Sequence, residues 1–125
     1  MEVAILDADV LVDFLLGEGA AGVVAARLRA RAAATTSVVV FELARGIDQG
    51  DGARLREALR GLRVYPLDHL AARKAADLWR ELEGRGERIG DRDLLTAAIA
   101  ITANLPILTR NTRHFRRVPG LKLVR

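Results

Sequence analysis

Three carboxylates stand where this sequence has no ordinary use for charge. Asp7 ends the apolar run VAIL, with Asp9 two residues on. Glu42 lies in VVVFELARG, where Val38 and Val39, four and three residues back, share its helical face. Asp93 opens DLLTAAIAITA, the most apolar segment of the chain, with Asp91 two residues before it. Each acid belongs to a segment that must be buried, and burying an uncompensated carboxylate is costly. Singly, each has an ordinary role. Asp7 or Asp9, and Asp91 or Asp93, can cap helices at about 1 kcal/mol each, and Glu42 can pair with Arg45. Together, acids at the ends of different elements can form one anionic pocket, which a divalent cation makes stable.

The available donors are oxygens. The chain has no cysteine and two histidines, His69 and His114. Disulfides, thiolate zinc sites, cysteine nucleophiles and a histidine-rich metal centre are therefore excluded. Carboxylate oxygens select hard cations, Mg²⁺ or Mn²⁺. Such an ion suits phosphodiester hydrolysis, since it activates water and neutralises the scissile phosphate while arginines hold the backbone. The net charge is only +4, but it is unevenly spread. Every charged residue before Ala20 is acidic, and every one after Thr109 is basic. All the basic residues except Lys74 and Lys122 are arginines, whose forks bind phosphate bidentately. Aromatic residues make up 4%, too few for base-stacking platforms.

The elements that must position these acids follow from periodicity. Val3–Leu6 reads as a buried strand, and Val10–Leu16 as a short helix ended by Gly17 and Gly19. Ala20–Ala34 reads as one amphipathic helix, and Thr35-Thr36-Ser37 as a capping cluster after at most two strand residues. Val38–Asp48 is a helix, Gly50-Asp51-Gly52 a turn and Ala53–Arg60 another helix. Arg63–Leu67 is a strand. Asp68 caps a helix to about Glu83, with Leu70, Ala71, Ala75, Leu78, Trp79 and Leu82 at helical spacing. Asp93–Ala103 is a buried helix, Pro106–Thr109 a strand, Asn111–Phe115 a loop or helical turn, and Leu121–Val124 a last strand. Phe41, Trp79 and Phe115 are expected in the core. This alternation predicts a single α/β domain over residues 1–125, a small three-layer α/β/α arrangement on a mainly parallel central sheet. Ligands bind such sheets at the carboxyl ends of the strands. That points to Asp7 and to Thr109–Asn111. Gly17-x-Gly19 and Gly84-x-Gly86 do not link a strand to a helix as a phosphate loop would. The start has no basic segment before its apolar run, and no stretch spans a bilayer comfortably, so a cytoplasmic protein without a membrane partner is expected.

Four segments resemble the PIN-domain ribonucleases, in order and across essentially the whole chain. LDADVLVD (Leu6–Asp13) resembles their opening strand and acid, and VVVFELARGI (Val38–Ile47) their second acidic motif. IGDRDLLTAAIA (Ile89–Ala100) resembles the third, and ILTRNTRHFRRVPGLKLV (Ile107–Val124) the final strands and turn. Within the family the likeness is to VapC-type toxins of type II toxin–antitoxin pairs. The resemblance implies an Mg²⁺- or Mn²⁺-dependent endoribonuclease. Asp7 and Asp93 would be the main metal ligands, and Glu42 a ligand directly or through a metal-bound water. It also implies an RNA substrate, a cognate antitoxin and a homodimer, for which Leu11, Phe14, Leu15, Val23 and Leu28 are candidate interface. Many relatives carry a fourth acid in the turn where this chain has Asn111, with His114 nearby. Asp9, Asp91, Thr109, Arg110, Asn111 and His114 are therefore supporting or substrate-binding candidates. The missing acid keeps open a non-catalytic PIN-like module that binds RNA or protein. A receiver-like phosphoacceptor domain would need a lysine on a late strand, and Lys74 and Lys122 are poorly placed for it.

Overall fold

The structure is a computed structural model that describes residues 1–46 and 52–124. The expected turn at Gly50-Asp51-Gly52 and the expected helix end at Asp48 fall outside the described residues, apart from Gly52. The four strands are β1 (Ala4–Leu6), β2 (Ala33–Thr36), β3 (Arg63–Tyr65) and β4 (Ile107–Leu108). They form one parallel sheet in the order β3-β2-β1-β4. The chain steps outward from β1 through β2 to β3, then returns to place β4 on the other side of β1. The crevice between the carboxyl ends of β1 and β4 is thus the topological switch point, where sheets of this kind bind ligands.

Strand alternation divides the core into two layers. Ile5, Ala34 and Ile107 face α5 (His69–Arg85) and α6 (Asp91–Ala103), against Leu78, Leu82, Ala97 and Ala98. Leu6 faces the other way, with Val10 and Leu11 of α1 (Ala8–Leu16), Val24 of α2 (Ala21–Arg29), Val39 and Leu43 of α3 (Ser37–Gly46) and Leu55 of α4 (Gly52–Arg60). The three-layer α/β arrangement expected from the sequence is the one observed, and its sheet is wholly parallel among the described residues.

Several elements depart from expectation, each for a local reason. The helix expected over Ala20–Ala34 ends at Arg29. Arg31 turns the chain at φ 53°, and the Arg27 guanidinium donates to the carbonyls of Ala32 and Glu2 (3.1 and 2.8 Å). Ala33–Thr36 can then enter the sheet beside β1, where buried Ala34 fits the close packing. Pairing with β1 and β3 overrides the helix propensity of alanine. Thr36 Oγ1 accepts from the Val39 N–H at 3.1 Å and starts α3. The last strand shrinks to a single parallel bridge between Ile107 and Leu123, because β4 offers it only two residues. Asp68 caps α5 as expected, accepting from the Ala71 N–H at 2.9 Å.

Phe115 is buried, but Phe41 is 55% exposed and Trp79 48% exposed, against expectation. On α5 the core face is Ala71, Ala75, Leu78 and Leu82, and Trp79 is turned about 100° from Leu78. Leu70 is exposed for the same reason. Phe41 packs instead beneath the Arg45 guanidinium, 5.1 Å from its ring centre. Leu11 is buried in the core, which removes it from the candidate interface.

Gly19 turns the chain closely over Asp13. It has φ +52°, and a Cβ there would run into the Asp13 carboxylate. Gly19→Ala should therefore cost roughly 1–3 kcal/mol in urea unfolding, whereas Gly22→Ala, in helix α2 with open space around it, should stabilise by roughly 0.4–1 kcal/mol.

Candidate active site

Two of the three helices that bring acids to the switch point, α1 and α6, do so at their first turn, where the helix dipole favours negative charge. Asp7 follows β1 and is the N-cap of α1, so the capping role and the place in the anionic pocket coincide. Its Oδ1 accepts from the Ala8 N–H at 2.9 Å, and its Oδ2 from the Thr109 hydroxyl at 2.8 Å. Asp9, in the first turn of α1, accepts from the Arg110 N–H at 2.9 Å through Oδ2. Its Oδ1 is buried and has no hydrogen-bond partner. Asp93 occupies the first turn of α6. The N-cap there is Gly90, so neither Asp91 nor Asp93 has the capping role open to it from sequence. Asp93 Oδ2 instead accepts from the Asn111 amide at 3.1 Å. His114 Nδ1 stands 3.3 Å from that same oxygen and 3.1 Å from Asn111 Nδ2. A protonated Nδ1 donates to Asp93, and an unprotonated one accepts from Asn111.

Glu42 reaches the site from α3. Its alternative partner from sequence, Arg45, lies over Phe41 instead. The charges that act on Glu42 are Arg92, Asp93 and Asp9. Its pKa is raised, first by burial and then by Asp93 and Asp9, with Arg92 opposing. The effect on Asp7, which is 6% exposed, is larger. Its pKa is raised from 3.8 to about 6, chiefly by burial, with Asp9 and Asp93 adding to the rise and the Thr109 hydroxyl and Ala8 N–H opposing it. Asp9 and Asp93 thus act electrostatically on both Asp7 and Glu42. Among the described residues no three acidic or histidine side chains are grouped so as to hold a metal ion.

The turn after β4 supplies a donor to each of three acids: Thr109 to Asp7, the Arg110 N–H to Asp9, and Asn111 to Asp93. Asn111 also donates its own N–H to Thr109 Oγ1 at 3.0 Å. Asp91 is exposed, and no contact ties it to the other acids among the described residues. Two residues were not singled out from the sequence. Arg92 is one, and the cation directly before Asp93 was its signal. The other is Asp13, 4% exposed, whose signal was its place one turn beyond Asp9 in an apolar helix.

Fold and site together define a class, the small parallel α/β domains with acids beside the sheet's switch point. The chain belongs to the PIN-domain family, whose sequence model matches residues 4–121. It is 36% identical over 121 residues to Ribonuclease VapC19 of Mycobacterium tuberculosis, covering 94% of this chain and 96% of that one. It is 33% identical over 119 residues to Ribonuclease VapC10 of the same organism, covering 94% and 90%. Among solved structures it is similar to VapBC2 from Rickettsia felis bound to a promoter DNA fragment, with a TM-score of 0.86, 25% identity, and 98% and 97% of the two chains covered. DNA-bound VapBC from Salmonella typhimurium shares the fold at a TM-score of 0.88 and 22% identity, over 99% and 98% of the chains.

Proposed function

We propose that this chain is a divalent-metal-dependent endoribonuclease and the toxin of a toxin–antitoxin pair. The relatives named ribonucleases span 94% of it, which supports RNA as substrate. The likeness to a VapBC complex supports a cognate antitoxin. The observation that carries the catalytic reading is the gathering of Asp7, Asp9, Glu42 and Asp93 at the switch point, with a buried Asp9 oxygen left unpartnered. All four are oxygen donors, and the pKa values of Asp7 and Glu42, raised first by burial and further by Asp9 and Asp93, support a functional site there. Their donor chemistry suits Mg²⁺ or Mn²⁺.

Asp7 and Asp93 would hold the ion, with Glu42 joining directly or through a bound water. The ion would supply charge neutralisation at the scissile phosphate and a more acidic water. Thr109 holds Asp7 Oδ2 in place, while Asn111 and His114 fix Asp93 Oδ2. Exposed Arg92, near Asp93 in sequence, and exposed Arg113, in the segment after β4, would meet the RNA backbone. No helix among the described residues is long and apolar enough to cross a membrane. A cytoplasmic site of action follows from the RNA substrate. Of the candidate interface residues Val23 is exposed, and light scattering should give twice the chain mass if the chain pairs with a second copy.

The test is cleavage of a structured RNA in Mg²⁺ or Mn²⁺ and its loss in chelator. A protein that binds Mn²⁺ in calorimetry but leaves RNA intact would be the non-catalytic module instead. Asn111 gives a further prediction. Asn111→Asp removes the donor to Asp93 and adds a like charge, so the metal-free protein should lose about 1 kcal/mol of stability. The same change should tighten Mn²⁺ binding about tenfold, because affinity follows ligand charge.

A further inference from the structure

Asp13 has no part in the chemistry above, yet its carboxylate is buried at 4% exposure and built into the fold. It lies on α1 one turn beyond Asp9, so the two carboxylates share a helix face. Asp13 Oδ2 accepts from the Ala20 N–H at 2.9 Å and pairs with Arg110 Nε at 3.0 Å. The α1–α2 turn closes over it through Gly19, the position where a Cβ would strike that carboxylate. Arg110 therefore bridges two acids of α1, with its backbone N–H on Asp9 and its guanidinium on Asp13. Its neighbours in the same turn, Thr109 and Asn111, hold Asp7 and Asp93.

We propose that Asp13 is a positioning residue for the active site: through Arg110 it fixes the 109–111 turn, and the turn in turn aims the carboxylates of Asp7, Asp9 and Asp93. The inference rests on the ribonuclease reading for its consequence in catalysis, but not for the linkage itself. A charge pair suits this task. A buried carboxylate with one cationic partner penalises every arrangement that separates them, and the Nε bond has a directional requirement that an apolar contact lacks. Groups that orient metal-binding side chains from one layer out commonly change metal affinity or activity by about ten- to a hundredfold when altered.

The test variant is Asp13→Asn. It keeps the shape beside Gly19 and an oxygen for the Ala20 N–H, and it removes only the charge that holds Arg110. Amide hydrogen exchange in chelator reads the linkage without metal or substrate. The Arg110 amide should exchange about tenfold faster in Asp13→Asn, with the Ala20 amide unchanged. Mn²⁺ affinity by calorimetry should fall about tenfold. In RNA cleavage, kcat should fall about tenfold with KM within about twofold, the pattern of disturbed geometry rather than lost substrate contact. Arg110→Met should reproduce the exchange signature, and the double variant should be no worse than the more damaged single one. Should Asp13→Asn fail to fold, Arg110→Met alone decides, because that side chain is 60% exposed and tolerates replacement.

Wild-type exchange at Arg110 together with wild-type Mn²⁺ affinity in Asp13→Asn would overturn the proposal and leave Asp13 as a local tie to the Ala20 N–H. Wild-type protein that leaves RNA intact would overturn the ribonuclease reading instead, while the exchange measurement would still decide the linkage.

Discussion

Asp7→Asn and Asp93→Asn should each lower RNA cleavage by more than about a hundredfold. They should also abolish Mn²⁺ binding in calorimetry. The asparagine side chain keeps the carboxylate's shape and loses its charge. At Asp7 the amide oxygen can still accept from the Ala8 N–H, and the amide nitrogen faces Thr109 Oγ1. At Asp93 the oxygen can still meet the Asn111 amide. Both variants should therefore fold, and the loss should fall on kcat. Unchanged cleavage by both would remove these residues from the active site.

The second large effect concerns stability, and its sign is the reverse of what mutation usually gives. In chelator, Asp7→Asn should be more stable than wild type by up to about 3 kcal/mol at neutral pH. Asp7 has a pKa of about 6 in the fold against 3.8 for the free side chain. Its charged form is thus disfavoured by folding, the opposite of a salt-bridged acid. Above pH 6 the folded protein carries the full cost of ionising it. As pH falls from 6 towards 3.8, the folded state takes up the proton before the unfolded state does, and that cost is progressively relieved. The gap between variant and wild type should accordingly be widest above about pH 6 and close towards about pH 4. Saturating Mn²⁺ should reverse the order, because ligand binding stabilises only the protein that retains the site. Denaturant unfolding across this range, with and without chelator, measures both signs. A lower stability for Asp7→Asn at every pH in chelator would make Asp7 a cap and nothing more.

Much of the fold was legible because short-range patterns carry it. VAIL ending at Asp7, the Asp68 cap, and the apolar repeat of Ala71, Ala75, Leu78 and Leu82 each declare an element with no help from elsewhere. Strand β2 was hidden because it is short, opens on two alanines and follows an Ala- and Arg-rich helix. Only its neighbours β1 and β3 make it a strand. Phe41 and Trp79 were misplaced because an aromatic residue beside an apolar stripe reads as part of it, and a turn of about 100° takes it out to solvent. In the site, Asp7, Glu42 and Asp93 were readable as charges on segments that must be buried. The supporting part of His114 was less so, since a single histidine in a basic tail has no sequence signal for the acid it meets.

By itself the sequence determined which atoms were available: oxygen donors without thiolates, arginines in excess, and acids placed at the ends of apolar segments. Those are properties of residue type and near-neighbour spacing, and folding cannot alter them. Tertiary structure alone decided which acids meet. The return of β4 beside β1 set Thr109, Arg110 and Asn111 against Asp7, Asp9 and Asp93, and it gave buried Asp13 a partner almost a hundred residues away in the chain. Contacts at that separation arise from how the sheet is wound, and no periodicity in the sequence encodes them.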